Sequence, residues 1–255
     1  MPQMILRADD FGFTEGIDKA ILETISQGLV TAISCMVNLP ERETTIRRLS
    51  DDPAIDTGLH VNIVFGSPVA DHSSVRSLVD ERGYFIRSSV YRQQKEKHIL
   101  YEDAVNEVTA QIRRFEELFK KKPAYIDIHA MVSVTLERAV KDVAARERIP
   151  YISLTEQCID DCPIYLCPFQ MNASYEDYDP GCMLTMGEKE ILYHDVSLLV
   201  LHPGYCDVRL MEVSTLNRHR EKDLALLMDS RTKEWLQKRE ITPVSIRQLQ
   251  KQHLF

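Results

Sequence analysis

Residues 4–12 read MILRADDFG. The run 4–8 is short and mostly apolar, and an acidic pair and Gly12 close it. That pattern predicts a buried strand. Directly after it, Ile17, Ile21, Ile25 and Leu29 recur at helical spacing, with Thr14 placed as an N-cap and Gly28 near the stop. Residues 30–37 are apolar and β-branched, which predicts a second strand, and residues 41–49 follow as a helix. Residues 55–64 predict a third strand, which carries His60. Strands alternating with helices in this way imply a parallel sheet with helices outside it.

The rest of the chain continues the rhythm, with two interruptions. Residues 65–101 are long, polar and irregular, broken by Gly66, Pro68 and Gly83. A loop of that length is usually a lid, a binding loop or a dimer arm. Residues 102–121 predict an amphipathic helix with Val105, Val108, Ile112, Phe115, Leu118 and Phe119 on one stripe. A strand over 123–129 ends at His129, a helix covers 136–146, and a strand covers 149–154. Residues 155–187 form the second irregular stretch. SLLVL at 197–201 is a buried strand leading into His202-Pro203-Gly204. Helices over 216–228 and 232–239 and a strand over 241–245 complete the chain. The expectation is an α/β fold: residues 1–255 as a single domain, a (β/α) barrel-like unit of TIM type, distorted or incomplete. An open doubly wound sheet is the alternative, but no Gly-x-Gly-x-x-Gly follows the first strand.

Composition narrows the function. Of 255 residues, 44% are hydrophobic and 27% charged, the balance of a globular enzyme. The formal net charge of −8 opposes phosphate backbones and anionic membrane surfaces, so neither nucleic acid nor membrane is an expected partner. The opening MPQMILRADDFG lacks a basic n-region and an apolar stretch, and no window reaches the length of a membrane span. The expected location is cytoplasmic, with the six cysteines as free thiols. The spacing Cys158-x3-Cys162-x4-Cys167 matches no zinc knuckle or ribbon.

Four strand ends carry chemically loaded residues: Asp9-Asp10, His60, His129 with Asp127 two residues earlier, and His202. In parallel α/β folds the carboxyl ends of strands share one face, where active sites form. Two imidazoles and one carboxylate make a three-ligand metal site with positions left open. Such a metal acidifies water, and a second carboxylate beside it can take the proton. Neighbouring side chains of an ideal strand point to opposite faces, so Asp9 and Asp10 can serve one site only if the strand bulges or ends there. Each residue alone has an ordinary reading. Asp9-Asp10 can be a turn or cap, His60 and His129 satisfied core histidines, His202-Pro203-Gly204 a turn. Asp127 either points away from the site or orients a ligand histidine. The remaining histidines, His72, His98, His194, His219 and His253, lie in polar contexts and read as surface residues.

Seven segments taken together, in order, resemble the YdjC-like carbohydrate deacetylases, which include chito-oligosaccharide deacetylases. They are ILRADDFG (5–12), the stretch 28–38 that opens GLVT, GLHVN (58–62), SLVDERGYF (77–85), 111–115 with Lys122-Pro123, IDIH (126–129) and LHPGYCD (201–207). The resemblance implies a barrel-like enzyme that removes acetyl groups from N-acetylated sugars. It implies one divalent metal ion, zinc or magnesium, on Asp10, His60 and His129, with Asp9 as general base and His202 as general acid. It also implies a homodimer. Two imidazoles favour a transition ion over magnesium. Backbone amides near Tyr205 are expected to help hold the oxyanion. Two departures stand out. Ala130 and Met131 replace histidines common after the fourth strand, and Arg7 replaces a common asparagine, where its charge could neutralise an acidic neighbour or meet a charged substrate. Two other readings stay open: a metal-dependent phosphoesterase using Arg7 and Arg209 for phosphate, and a non-catalytic sugar-binding or regulatory relative.

Overall fold

A computed structural model describes residues 1–49, 54–93, 99–168 and 173–252. In chain order, β1 (Gln3–Phe11), α1 (Glu15–Ile25), β2 (Ala32–Cys35), α2 (Glu43–Ile46) and β3 (Asp56–Val61) build the first half. After the segment holding α3 (Ser88–Gln93) come α4 (Tyr101–Phe119), β4 (Ile126–Ile128), α5 (Val134–Glu147) and β5 (Ile152–Ser153). Next are β6 (Cys158–Ile159), β7 (Cys162–Pro163), β8 (Tyr165–Leu166), α6 (Pro180–Tyr193) and β9 (Val196–Leu201). The chain closes with α7 (Val208–Val213), α8 (His219–Met228), α9 (Ser230–Lys238), β10 (Thr242–Pro243) and α10 (Ile246–Lys251).

The main sheet runs β4-β3-β2-β1-β9-β8, with β10 beside the start of β1, and its pairs are parallel. Among the described residues its outer strands β4 and β8 do not pair with each other, so the curled sheet is a half-barrel. The incomplete barrel is therefore what forms, and β1 lies at its middle. The two-residue period of β1 sorts its side chains. Met4, Leu6 and Ala8 join the large core that includes Ile17 and Ile21 of α1. Ile5 joins a smaller core with Ala32, Tyr125, Ile152, Leu198 and Val200, on the inner side of the sheet. Arg7 and Asp9 share the parity of Ile5, so they belong to that inner side. On β3 the same rule turns Leu59 and Val61 to the helices and Gly58 and His60 inward.

Helix α1 starts as its sequence dictates: the Thr14 side chain accepts from the Ile17 amide. Helix α4 buries Val108, Ile112, Phe115 and Leu118 on its apolar stripe. Gly58 has a different job. A Cβ there would stand 2.4 Å from the Tyr125 ring, which is fully buried and pinned by a 2.9 Å hydrogen bond between its hydroxyl and Ser34 Oγ. Gly58→Ala is expected to destabilise the protein by about 1–3 kcal/mol through overpacking. A urea midpoint that moves down at unchanged m-value checks this.

Residues 155–187 depart from the expectation. They hold β6, β7, β8 and most of the missed helix α6. Helix α6 opens on Pro180 and is capped by Asp179, but Gly181, Cys182, Thr185 and Gly187 dilute its apolar stripe. The helix expected over 216–228 begins only at His219, and α7 and α10 were not anticipated. His219 is half-buried against Tyr175 and Tyr178 rather than free on the surface. His98 and His253 lie outside the described residues, as do residues 94–98 and 169–172 of the two long segments. All six cysteines are free thiols. Among the described residues no helix is long and apolar enough to cross a membrane.

Candidate active site

The acidic pair sits on a deformed strand end. Ala8 pairs with Ile33, but Phe11 pairs with Cys35, so β1 has one residue more than β2 between these points. That is a bulge. Asp10 absorbs it with φ 74, a left-handed conformation. Strict alternation would send Asp10 to the helix side; the bulge brings it to the same pocket as Asp9. Gly12 follows at φ 88, where a Cβ would stand 2.7 Å from the Met36 carbonyl oxygen. Only glycine fits that turn.

Three of the expected residues converge. Asp10 Oδ1 is 3.2 Å from His60 Nε2 and 2.9 Å from His129 Nδ1, and the two nitrogens are 3.2 Å apart. Ligand atoms about 2.0–2.2 Å from one ion stand roughly 2.9–3.4 Å from each other, in octahedral or tetrahedral geometry. The triangle has that size. His60 Nδ1 lies 2.9 Å from Asp127 Oδ2. With its proton there, Nε2 keeps its lone pair for the triangle. Asp10 Oδ1 is buried and accepts no well-aligned hydrogen bond. Lone pairs converging on an orphaned carboxylate oxygen call for a cation. The surrounding field is negative. Burial alone would depress His60, but the Asp127 charge, the close Asp10 and Asp127 oxygens and the Asp9 charge push it up to about 10. Without an ion, a proton therefore holds the place on Nε2 that a bound cation would take from it. Burial works against an ionised Asp10, yet Arg220 and His129 hold it well below the usual carboxylate range.

A second set of groups surrounds these. Asp9, His60 and Asp127 also cluster closely enough for an ion. Arg7 fills that place: its Nε and Nη2 donate to Asp9 at 2.7 and 2.9 Å, and Nη2 stands 3.1 Å from Asp127. Arg7 is 0% exposed and pairs with the carboxylates of Asp9 and Asp127, so it neutralises acidic neighbours, the first of the two roles expected of it. Against burial, the charges of Asp127 and Asp9 raise its pKa further. Arg7→Leu would strand two buried carboxylates. It is expected to cost about 3–5 kcal/mol in a urea unfolding experiment.

His202 stands at the end of β9 with Nε2 4.0 Å from Asp9 Oδ2. Burial pushes it down to about 4, helped by the Arg220 and His60 charges and opposed by Asp10 and Asp9. Its backbone amide donates to Asp223 Oδ2 at 2.8 Å. Asp223 also accepts the Tyr178 hydroxyl, and burial pushes it up to about 6. Arg220 Nη2 donates to Asp10 Oδ2 at 2.6 Å. Neither Arg220 nor Asp223 was anticipated. One signal was available: Arg220, Asp223, Leu224 and Leu227 share one buried face of α8, and two opposite charges on such a stripe need buried partners.

The amide of Tyr205 donates to the Gly16 carbonyl at 3.1 Å, that of Gly204 to Arg220 O at 3.2 Å, and that of Cys206 to Glu221 at 3.3 Å. Those donors are taken, which corrects the expectation of an oxyanion hole near Tyr205. Around the mouth, the Phe13 ring lies 5.9 Å from the His129 ring and 4.9 Å from Phe65. The Arg87 and Arg209 guanidinium groups lie over Phe65, at 4.8 and 5.7 Å. Ala130 takes φ 57 and turns the chain directly after His129. Two cavities, of 210 and 410 Å³, open around Arg148 and share no residue with this cluster.

The model of the YdjC-like protein family matches residues 3–238. The chain is 30% identical over 230 residues to a carbohydrate deacetylase of Geobacillus stearothermophilus, covering 88% of this chain and 89% of that one. It is 27% identical over 252 residues to carbohydrate deacetylase 2 of Listeria innocua serovar 6a, covering 98% and 99%. Among solved structures, an Enterococcus faecalis V583 protein with a suggested role in cellobiose-phosphate cleavage superposes with a TM-score of 0.81 at 22% identity, covering 97% and 98%. The Xyl-CE4 domain of a multidomain xylanase from the hindgut metagenome of Trinervitermes trinervoides gives 0.52 at 10% identity, covering 99% and 91%. At such identities the two structures speak for the fold alone. The family match, spanning nearly the whole chain, decides the affiliation: the chain belongs to the YdjC-like protein family.

Proposed function

We propose that this protein is a metal-dependent carbohydrate deacetylase that hydrolyses the acetamide of N-acetylated sugars or oligosaccharides to acetate and a free amine. The observation that carries the reading is the triangle of Asp10 Oδ1, His60 Nε2 and His129 Nδ1, with sides of 2.9–3.2 Å around an orphaned buried oxygen. Its relatives named carbohydrate deacetylase supply the substrate class. These three residues would hold one divalent ion, and two imidazoles favour zinc over magnesium. When bound, such an ion supplies a Lewis acid and a more acidic water. Asp9 takes the proton of the attacking water, with Arg7 fixing its carboxylate. His202 delivers a proton to the departing nitrogen. Its pKa near 4 keeps it neutral at rest, so it is loaded within the turnover, and Asp9 at 4.0 Å is the nearby source. The C–N bond breaks as the nitrogen gains that proton, leaving acetate and the amino sugar.

Arg7 also weighs against the phosphoesterase reading. It occupies the second carboxylate cluster, where a two-ion phosphoesterase would need its other metal. The family resemblance is what supports a homodimer, which sedimentation tests; cell fractionation tests the expected cytoplasmic location. The reading as a whole is tested by acetate release from N-acetylglucosamine oligomers, with and without chelator. Release that stops with chelator and returns with zinc supports the enzyme. Sugar binding without any acetate release supports the non-catalytic relative instead.

A further inference from the structure

We propose that Arg220 sets how Asp10 holds its cation: by keeping one carboxylate oxygen for itself, it makes Asp10 a single-oxygen ligand. This inference rests on the cation site argued above and goes beyond it, to the coordination mode.

The two oxygens of Asp10 have divided duties. Oδ2 accepts the 2.6 Å bond from Arg220 Nη2, while Oδ1 lies between the two imidazoles. Arg220 does not depend on Asp10 for its place. It is 2% exposed, its Nε donates to the Leu216 carbonyl at 2.8 Å, and its own carbonyl accepts from Gly204. Gly204 packs against its stem so closely that a Cβ there would stand 3.1 Å from Arg220 Cδ. One turn further along α8, Asp223 holds the backbone of His202. The first turns of α8 thus anchor a ligand and the acid together.

A carboxylate can bind an ion through one oxygen or two. Two imidazoles and one oxygen leave room for water and a substrate carbonyl; a second oxygen takes one of those places. The guanidinium prevents that by charge and by hydrogen bonding. It also repels the ion, so its loss does not weaken binding through charge. A residue of this kind is a positioning residue. Its removal should damage turnover while the ion stays.

The experiment compares Arg220→Met, Arg220→Lys and the unchanged protein, each loaded with zinc or cobalt. For Arg220→Met, zinc affinity is expected to hold within about threefold or tighten, kcat to fall roughly 10–100-fold, and KM to change little. The cobalt visible spectrum should weaken, as it does when coordination number rises. Arg220→Lys should recover part of kcat. If neither variant folds, X-ray absorption on the zinc-loaded unchanged protein decides: a single-oxygen carboxylate supports the proposal, and a two-oxygen carboxylate overturns it. An unchanged cobalt spectrum and kcat in Arg220→Met overturn it, as does parallel loss of metal, activity and thermal stability. Failure of the unchanged protein to take up any metal sinks the cation site itself, and this proposal with it.

Discussion

Changing His60 to alanine is expected to empty the cation site and lower acetate release by a factor on the order of 10³ or more, the worth of several kcal/mol of transition-state stabilisation. His60 is the hinge of the arrangement. Its Nε2 faces Asp10 and His129, and its Nδ1 is held by Asp127. Without it, one carboxylate oxygen and one imidazole remain, too few to hold an ion against water. The variant also leaves Asp127 with Arg7 as its remaining charged neighbour, so the fold has reason to survive. Metal content by elemental analysis, acetate release and far-UV circular dichroism should be read on one sample. One ion per chain with activity within tenfold of the unchanged protein contradicts the assignment.

The second large effect belongs to His202. His202→Gln is expected to lower kcat about 10²–10⁴-fold, the usual share of general acid–base catalysis, while one ion per chain stays bound. The ion stays because His202 is outside the triangle; its Nε2 lies 4.0 Å from Asp9 instead. The effect should fall on kcat, since protonation of the leaving nitrogen follows binding. It should shrink for substrates whose leaving group departs without a proton, such as an activated aryl ester. Loss of metal in this variant would mean that His202 is a ligand and that the division of roles is wrong.

The fold was legible where one side chain period dominates. Residues 4–8, the stripe of α4 and SLLVL at 197–201 are strongly patterned, and each became the element expected. The convergence of Asp10, His60 and His129 was legible too, because parallel strands carry their carboxyl ends to one face. That the strand must bulge or end at Asp9-Asp10 followed from alternation; the register shift and the φ of 74 at Asp10 show that it bulges. Other features had no local signature. Helix α6 is short of apolar periodicity because glycine, cysteine and threonine interrupt it. The Arg220–Asp10 bond joins residues 210 apart in sequence, and nothing in either neighbourhood names the other. The amide of Tyr205 looked available in the motif, but its bond to Gly16 exists only once α1 packs against the segment after β9. Asp127 was open between two orientations; the inward parity of β4 selects the one that holds His60.

The central claim is that one cation sits among Asp10, His60 and His129. Anomalous diffraction at the zinc edge, from crystals of the zinc-loaded protein, tests it most directly. The expected map has a single strong peak about 2.0–2.2 Å from Asp10 Oδ1, His60 Nε2 and His129 Nδ1. A peak between Asp9 and Asp127 with Arg7 displaced, a pair of peaks, or density at neither place would contradict the account.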